Sequence, residues 1–231
     1  MIIDLHVHTS RNSSDSSLSP EHMVEEARRV GLQGVCLTEH SGPWDRFEFQ
    51  RFASQQHGLL LVPAMEVETD FGHITVFGMD RYLSGIRDPK ELRRIADGVG
   101  AYMVLAHPFR NLFQKPPYNN NLLFKDWDHH PTLEEVRAHP ILNLVDAIEV
   151  ANGGNTDDEN TFALEVAQYL GKPMVGGSDA HSVNGLGKCV TVFSEQIPCQ
   201  EAFVQALHAG HFYPATGLNK GNLQPFHSST G

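Results

Sequence analysis

The sequence predicts an α/β fold in a single domain over residues 1–231. Three observations predict it. Short apolar runs alternate with helical patterns along the chain, as in βα units. The 231 residues, 40% of them hydrophobic, suffice for one large core. The chemistry-bearing residues fall at the C-terminal ends of the apolar runs, the face on which active sites assemble in parallel α/β barrels.

Each element has its own signal. Ile2, Ile3, Leu5 and Val7 read as a buried strand, which places His6 and His8, two residues apart, on one face. Ser19-Pro20-Glu21 starts a helix with an N-cap, a first-turn proline and an early acid. Met23, Val24, Ala27 and Val30 form its apolar stripe, and Gly31 ends it. Gly34–Thr38 is a strand followed by Glu39-His40, and a helix is expected near 45–57. Leu59–Val67 and His73–Phe77 read as strands joined by a turn around Asp70-Phe71-Gly72. Asp88-Pro89 caps a helix to Val99, and the strand Ala101–Ala106 ends in His107-Pro108. Residues 110–131, rich in Asn, Pro, aromatics and His without a clean period, read as a long insertion of the kind that forms lids. The strand Asp146–Val150 leads to Ala151-Asn152-Gly153. Thr156 with Glu159 forms a capping-box pattern before a helix carrying Phe162, Ala163, Val166, Ala167 and Leu170. Pro173–Gly177 runs into Ser178-Asp179-Ala180-His181. Val190–Phe193, a helix near 199–209 and His211–Ala215 follow, and 218–231 reads as a loose tail.

Composition narrows the function classes. Seventeen basic against 28 acidic residues give a net charge of −11, which disfavours general nucleic-acid binding but leaves room for a small anionic substrate held locally. No run of eighteen apolar residues and no signal-peptide pattern occurs, so neither a membrane span nor export is expected. The three cysteines, Cys36, Cys189 and Cys199, lack CxxC spacing, which points to a reducing, cytoplasmic setting.

Histidine is the outlier, with fourteen dispersed residues. His6, His8, His40, Glu66, His107, Asn152, Asp179 and His181 all lie at or near C-terminal strand ends. Imidazoles and carboxylates without a thiolate set suit Zn, Mn or Fe. Asp179 and His181 repeat the two-residue spacing of His6 and His8. A carboxylate such as Glu66 can bridge two cations, and more than one cation suits hydrolysis. Arg110, just after His107-Pro108, has the planar fork that clamps phosphate. Asn152, Arg11 and Lys188 are further substrate-binding candidates.

The ordered set Asp4-Leu5-His6-Val7-His8-Thr9, Thr38-Glu39-His40, Met65-Glu66-Val67, Ala106-His107-Pro108, Glu149-Val150-Ala151-Asn152 and Gly177-Ser178-Asp179-Ala180-His181 resembles the PHP, or polymerase and histidinol phosphatase, superfamily. The resemblance covers nearly the whole chain. It implies a distorted seven-stranded (β/α)7 TIM-like barrel with a trinuclear metal site at the C-terminal strand ends. It implies that His6, His8, Glu66 and Asp179 hold a first metal, that Glu66 bridges to a second with His73 and His107, and that Asp15, His40 and His181 hold a third. His73 enters only through the resemblance, because it begins a strand. Glu39 stands where relatives often have Asp, and the loop Ser10–Ser14 before Asp15 is longer than in many.

The implied activity is hydrolysis of a small phosphomonoester, such as histidinol phosphate or a nucleotide, by a metal-bound hydroxide. His40 and His181 are candidates to assist the leaving group, and Asp179 belongs to the same catalytic set. The rivals are a phosphotyrosine-protein phosphatase of the same superfamily, an amidohydrolase-type hydrolase and a non-catalytic scaffold. An amidohydrolase usually adds a central-strand lysine, where this chain has Glu66, and scaffolds tend to lose ligands, whereas all nine positions here hold competent residues.

Overall fold

The computed structural model describes residues 1–125 and 129–227. The remainder of the predicted insertion (126–128) and of the predicted tail (228–231) lies outside the described residues.

The strands are β1 (Ile2–Val7), β2 (Gly34–Glu39), β3 (Leu60–Thr69), β4 (Gly72–Phe77), β5 (Tyr102–Leu105), β6 (Ala147–Asn152), β7 (Met174–Gly177), β8 (Cys189–Phe193), β9 (Phe212–Thr216) and β10 (Gln224–Pro225). The helices are α1 (Pro20–Val30), α2 (Arg46–Ala53), α3 (Pro89–Val99), α4 (Leu133–Arg137), α5 (Asp157–Leu170) and α6 (Gln200–Ala209). The capping signals act as expected. Ser19 Oγ accepts from the His22 N–H, and Thr156 and Glu159 close a reciprocal capping box. The short helix α4, with its own capping box, was not foreseen.

One ten-stranded sheet runs in the order β10-β9-β8-β1-β2-β3-β4-β5-β6-β7. This corrects the seven-stranded (β/α)7 expectation in two ways. The β3–β4 connection is an antiparallel hairpin, so β4 opposes its parallel neighbours β3 and β5. Strands β8, β9 and β10 extend the sheet antiparallel from β1. The sheet curls until the segment after β7 meets β1, where Ala180 bridges Val7. The tail is also partly ordered, as a 3-10 turn at Leu218–Lys220 and then β10 on β9.

The inner face of the curl grades from apolar to polar along the strands. Ile3, Leu5, Cys36, Val62, Ala64, Val104, Ala147 and Val175 form one buried cluster, with Phe77 and Phe203. Further along the same strands come His6, Glu66 and Glu149, and just past the strand ends come His8, His40, His107 and Asp179. The outer faces pack on helices. Val35 and Leu37 meet Met23, Val24 and Ala27 of α1, while Met103, Ile148 and Val150 meet Leu92 of α3 and Leu164 of α5.

Two bulges break the simple alternation. Between β1 and β2, Asp4 faces Val35 and Val7 faces Leu37, so one extra residue sits on β1. Leu5 therefore joins the apolar cluster while the adjacent His6 also turns into the site. Between β6 and β7, the register slips between Glu149 and Ala151, which lets Asn152 fold back and bond Glu149.

Candidate metal centre

The nine predicted ligands converge on one place. Glu66, at the polar end of β3, is its hub. Its Oε1 lies 2.9 Å from His107 Nε2, 3.1 Å from His73 Nδ1 and 3.5 Å from His6 Nε2. Its Oε2 lies 3.2 Å from His40 Nδ1 and 3.5 Å from His8 Nε2. Asp179 Oδ1 lies 3.2 Å from His8 Nε2 and 3.5 Å from His6 Nε2. At the solvent side, Asp15 Oδ2 is 3.2 Å from both His40 Nε2 and His181 Nε2. His73 reaches this end because β4 runs antiparallel, so its first residues lie beside the last residues of β3 and β5.

Among the described residues, three sets of donors lie close enough for single ions: His6, His8 and Asp179; His6, Glu66 and His107; and His8, His40 and His181. The buried Nε2 atoms of His6 and His8 have no hydrogen-bond partner, although carboxylate oxygens stand 3.2–3.5 Å away. Orphaned buried nitrogens facing carboxylate oxygens are costly unless a cation fills the gap. The residues thus fit a divalent metal site of nitrogen and oxygen donors.

The far nitrogens of the same rings are fixed from behind. His6 Nδ1 bonds Glu149 Oε1 at 3.0 Å, so it carries the proton and leaves the Nε2 lone pair for the site. His8 is set by proton accounting. Ser13 Oγ has one hydrogen, donated to Glu39 Oε2 at 2.6 Å, so its 3.3 Å contact with His8 Nδ1 must be donated by the imidazole. Glu39 is buried among donors: Thr9 N (3.0 Å), the Thr9 hydroxyl and Trp44 Nε1 (2.9 Å). Glu39 therefore serves His8 through Ser13, whose Oγ also accepts from His40 N (3.1 Å). Sequence reasoning missed Ser13 and the role of Glu149. Glu149 sat in a quoted motif, and only the curl of the sheet brings β6 behind β1.

The backbone is strained at two of the nine. His107 (φ 30°) and Asp179 (φ 52°) adopt left-handed conformations unusual for residues other than glycine. Asp4 holds the second one by accepting from Ser178 N (2.8 Å) and Gly187 N (3.0 Å). Burial pushes its carboxyl up to about 6 despite these bonds.

Electrostatics without metal follow from this crowding. Burial works against charge on His6, yet Glu149, Asp179 and Glu66 hold its pKa well above the ordinary 6.5. Burial opposes ionisation of Glu66 and Asp179 too, but the imidazoles, His6 foremost, hold both carboxyls well below the usual range. Burial also opposes charge on His73, which Glu66 nevertheless raises. Burial lowers His8 and His107, with Arg110 adding to the effect on His107.

The substrate-binding candidates separate into two groups. Arg110 lies at the rim, with Nη2 on Asp179 Oδ2 (2.6 Å) and Asn152 Oδ1 (2.7 Å), and Nε on Asn155 Oδ1 (3.0 Å). Asn152 is committed, since its Nδ2 donates to Glu149 and its Oδ1 also accepts from Gly154 N. It orients Arg110 and Glu149. Arg11 pairs with Glu48 beside a separate cavity near Trp44, and Lys188 reaches the Gly153 carbonyl (3.4 Å). The structure does not bring these two into the cluster.

Comparison with known proteins gives the family. The PHP domain pattern matches residues 4–160, more than half of the chain, and a PHP-associated pattern matches 157–212. This chain belongs to the PHP domain family. An error-prone DNA polymerase of Nocardia farcinica is 31% identical over 100 residues, which is 42% of this chain and only 7% of the polymerase. Two solved structures share the fold. One is PsfC from Pseudomonas syringae (TM-score 0.61, 18% identity, 94% of this chain and 91% of that one). The other is a two-domain protein from Bacteroides vulgatus described as containing a predicted PHP-like metal-dependent phosphoesterase (TM-score 0.65, 23% identity, 93% of this chain and 64% of that one). No helix among the described residues is long and apolar enough to cross a membrane. Seven of the nine metal-ligand candidates lie within the PHP domain match, and Asp179 and His181 lie within the PHP-associated match.

Proposed function

We propose that this PHP domain is a metal-dependent phosphoesterase that hydrolyses a small phosphomonoester at a site of up to three divalent cations. The observation that carries the reading is the gathering of nine nitrogen- and oxygen-donor residues around Glu66 and Asp179, which are two of the nine, with two orphaned buried imidazole nitrogens at the centre. His6, His8, Glu66 and Asp179 would hold one cation; Glu66, His73 and His107 a second; Asp15, His40 and His181 a third. Bound cations would supply positive charge for the phosphate oxygens and acidify a water. Zn, Mn and Fe all suit the donor set.

The chain's own groups do the rest. Arg110 presents a guanidinium at the rim, held by Asn152 and Asn155, where it can meet a phosphate oxygen. His40 and His181 are each about one-third exposed, so they stand between the buried cluster and solvent. Either can hand a proton to a departing alcohol when not fully engaged by metal. Glu149 and Ser13 keep the His6 and His8 lone pairs pointed inward.

The test is a phosphatase panel of histidinol phosphate, nucleotides, nucleoside bisphosphates, sugar phosphates and phosphotyrosine, with Mn, Zn and Fe each loaded to saturation. Hydrolysis of one class with chelator sensitivity supports the reading. Full metal occupancy with no hydrolysis of any phosphoester refutes it.

A further inference from the structure

Beside the metal centre lies a cavity of about 180 Å³ that the ligand set does not account for. His73, His107 and Arg110 border it on the metal side, and Asn111, Asn120 and Leu123 belong to its other wall. That wall is the 110–125 part of the insertion, and it is firmly built. Buried Asn121 donates to the carbonyls of Pro108 and Arg110 (2.9 Å each) and accepts from Leu123 N and Phe124 N (3.0 Å each). Phe124 is buried and stacks on Phe109. Gly72 admits the wall, because a Cβ there would lie 2.8 Å from Leu123 Cδ1.

The lining has a distinct chemistry. No carboxylate lines the cavity among the described residues, while Arg110 and two imidazoles do. Asn111 Nδ2 donates to Asn120 Oδ1 at 2.9 Å, which leaves Asn111 Oδ1 as an acceptor and Asn120 Nδ2 as a donor. Leu122 and Leu123 supply an apolar surface. At 180 Å³ the space is below the roughly 300–1,000 Å³ of a drug-sized ligand site, so it suits part of a substrate.

We propose that this cavity receives the leaving group of the substrate and selects compact uncharged alcohols of the polyol type over amines. The proposal rests on the phosphoesterase reading and names its substrate class. An ammonium group placed here would face Arg110 and the metal centre with no acid lining the cavity to pair it, a repulsion that works as discrimination. A hydroxyl can donate to Asn111 Oδ1 and accept from Asn120 Nδ2, whereas an ammonium can use only the acceptor. On this reading histidinol phosphate, whose leaving group carries an amine, is a poor substrate.

The experiment measures kcat/KM for methyl phosphate, glycerol phosphate and aminoethyl phosphate with the metal-loaded protein. Glycerol phosphate is expected to exceed aminoethyl phosphate by about tenfold or more, the worth of one well-made hydrogen bond plus avoided repulsion. Asn120→Trp, which fills the rim, is expected to lower the ratio of glycerol phosphate to methyl phosphate by about tenfold. Asn120→Leu, a smaller change, provides the same readout if the tryptophan variant does not fold. Metal content is measured in every variant. Equal rates for the amine and the polyol, or an unchanged ratio in a folded, metal-loaded variant, overturn the proposal. Absence of hydrolysis for all three esters and for the wider panel instead overturns the phosphoesterase reading.

Discussion

Replacing Glu149 with Gln should weaken metal binding without unfolding the protein, and the structure gives the size of the effect. Glu149 Oε2 accepts two donors, His107 N at 2.9 Å and Asn152 Nδ2 at 2.8 Å, while Oε1 faces only His6 Nδ1. A glutamine places its single carbonyl oxygen where two donors wait, so its NH2 group faces His6 Nδ1. Nδ1 must then become an acceptor, which moves the ring proton to Nε2 and blocks the lone pair aimed at Glu66 and Asp179. Restoring the correct tautomer leaves a buried donor facing a donor, at a cost of about 1–3 kcal/mol. At about 1.4 kcal/mol per decade this weakens metal affinity roughly 5- to 150-fold. The assay is metal stoichiometry by elemental analysis with affinity by titration calorimetry, and circular dichroism to verify the fold. A folded Glu149→Gln protein that binds metal with unchanged stoichiometry and affinity refutes the tautomer reasoning.

Other outcomes follow from the same geometry. Ser13→Ala removes the hydroxyl between Glu39 and His8, and metal affinity should fall by about tenfold or more, with Ser13→Thr retaining part of it; equal affinity in Ser13→Ala and the parent would count against the relay. Gly177→Ala should destabilise the fold by about 1–3 kcal/mol or more, because a Cβ there collides with His6 Cβ and lies 2.6 Å from Glu149 Oε1; denaturant unfolding of the metal-free protein measures it. The stabilisation conferred by metal should grow with pH. Without metal, His6 and His73 hold protons to a pKa above 6.5, so their contribution to the metal-free fold is complete below 6.5 and is lost as pH rises through the raised values. Metal competes with those protons, so the gap in Tm between loaded and chelated protein should widen from pH 6 to 8. A gap that is flat or narrows over that window would contradict it.

Much of this was legible in the sequence because it depends on local order. Alternation of apolar runs with capped amphipathic patterns placed most strands and helices, as Ser19-Pro20 and Thr156–Glu159 illustrate. The ordered motifs identified the family and seven of the nine clustered residues by residue type and strand-end position, and the resemblance added Asp15 and His73. Strict alternation, however, could not place Leu5 and His6 on one side of β1, since a bulge depends on the neighbouring strand. The segments of β8 and β9 and the turn between β3 and β4 were legible, but the antiparallel extension of the sheet from β1 through β8, β9 and β10 was not, because pairing is decided between distant segments.

The sequence by itself determined which donors the chain possesses and which end of the strands they occupy. That follows from side-chain chemistry and from a two-residue strand period that any short segment carries. Only the tertiary structure decided which nitrogen of each imidazole is available, that Asn152 and Arg110 hold each other, and that the insertion walls a cavity beside His73 and His107. These depend on contacts such as His6 with Glu149, 143 residues apart, which exist only once the sheet has curled.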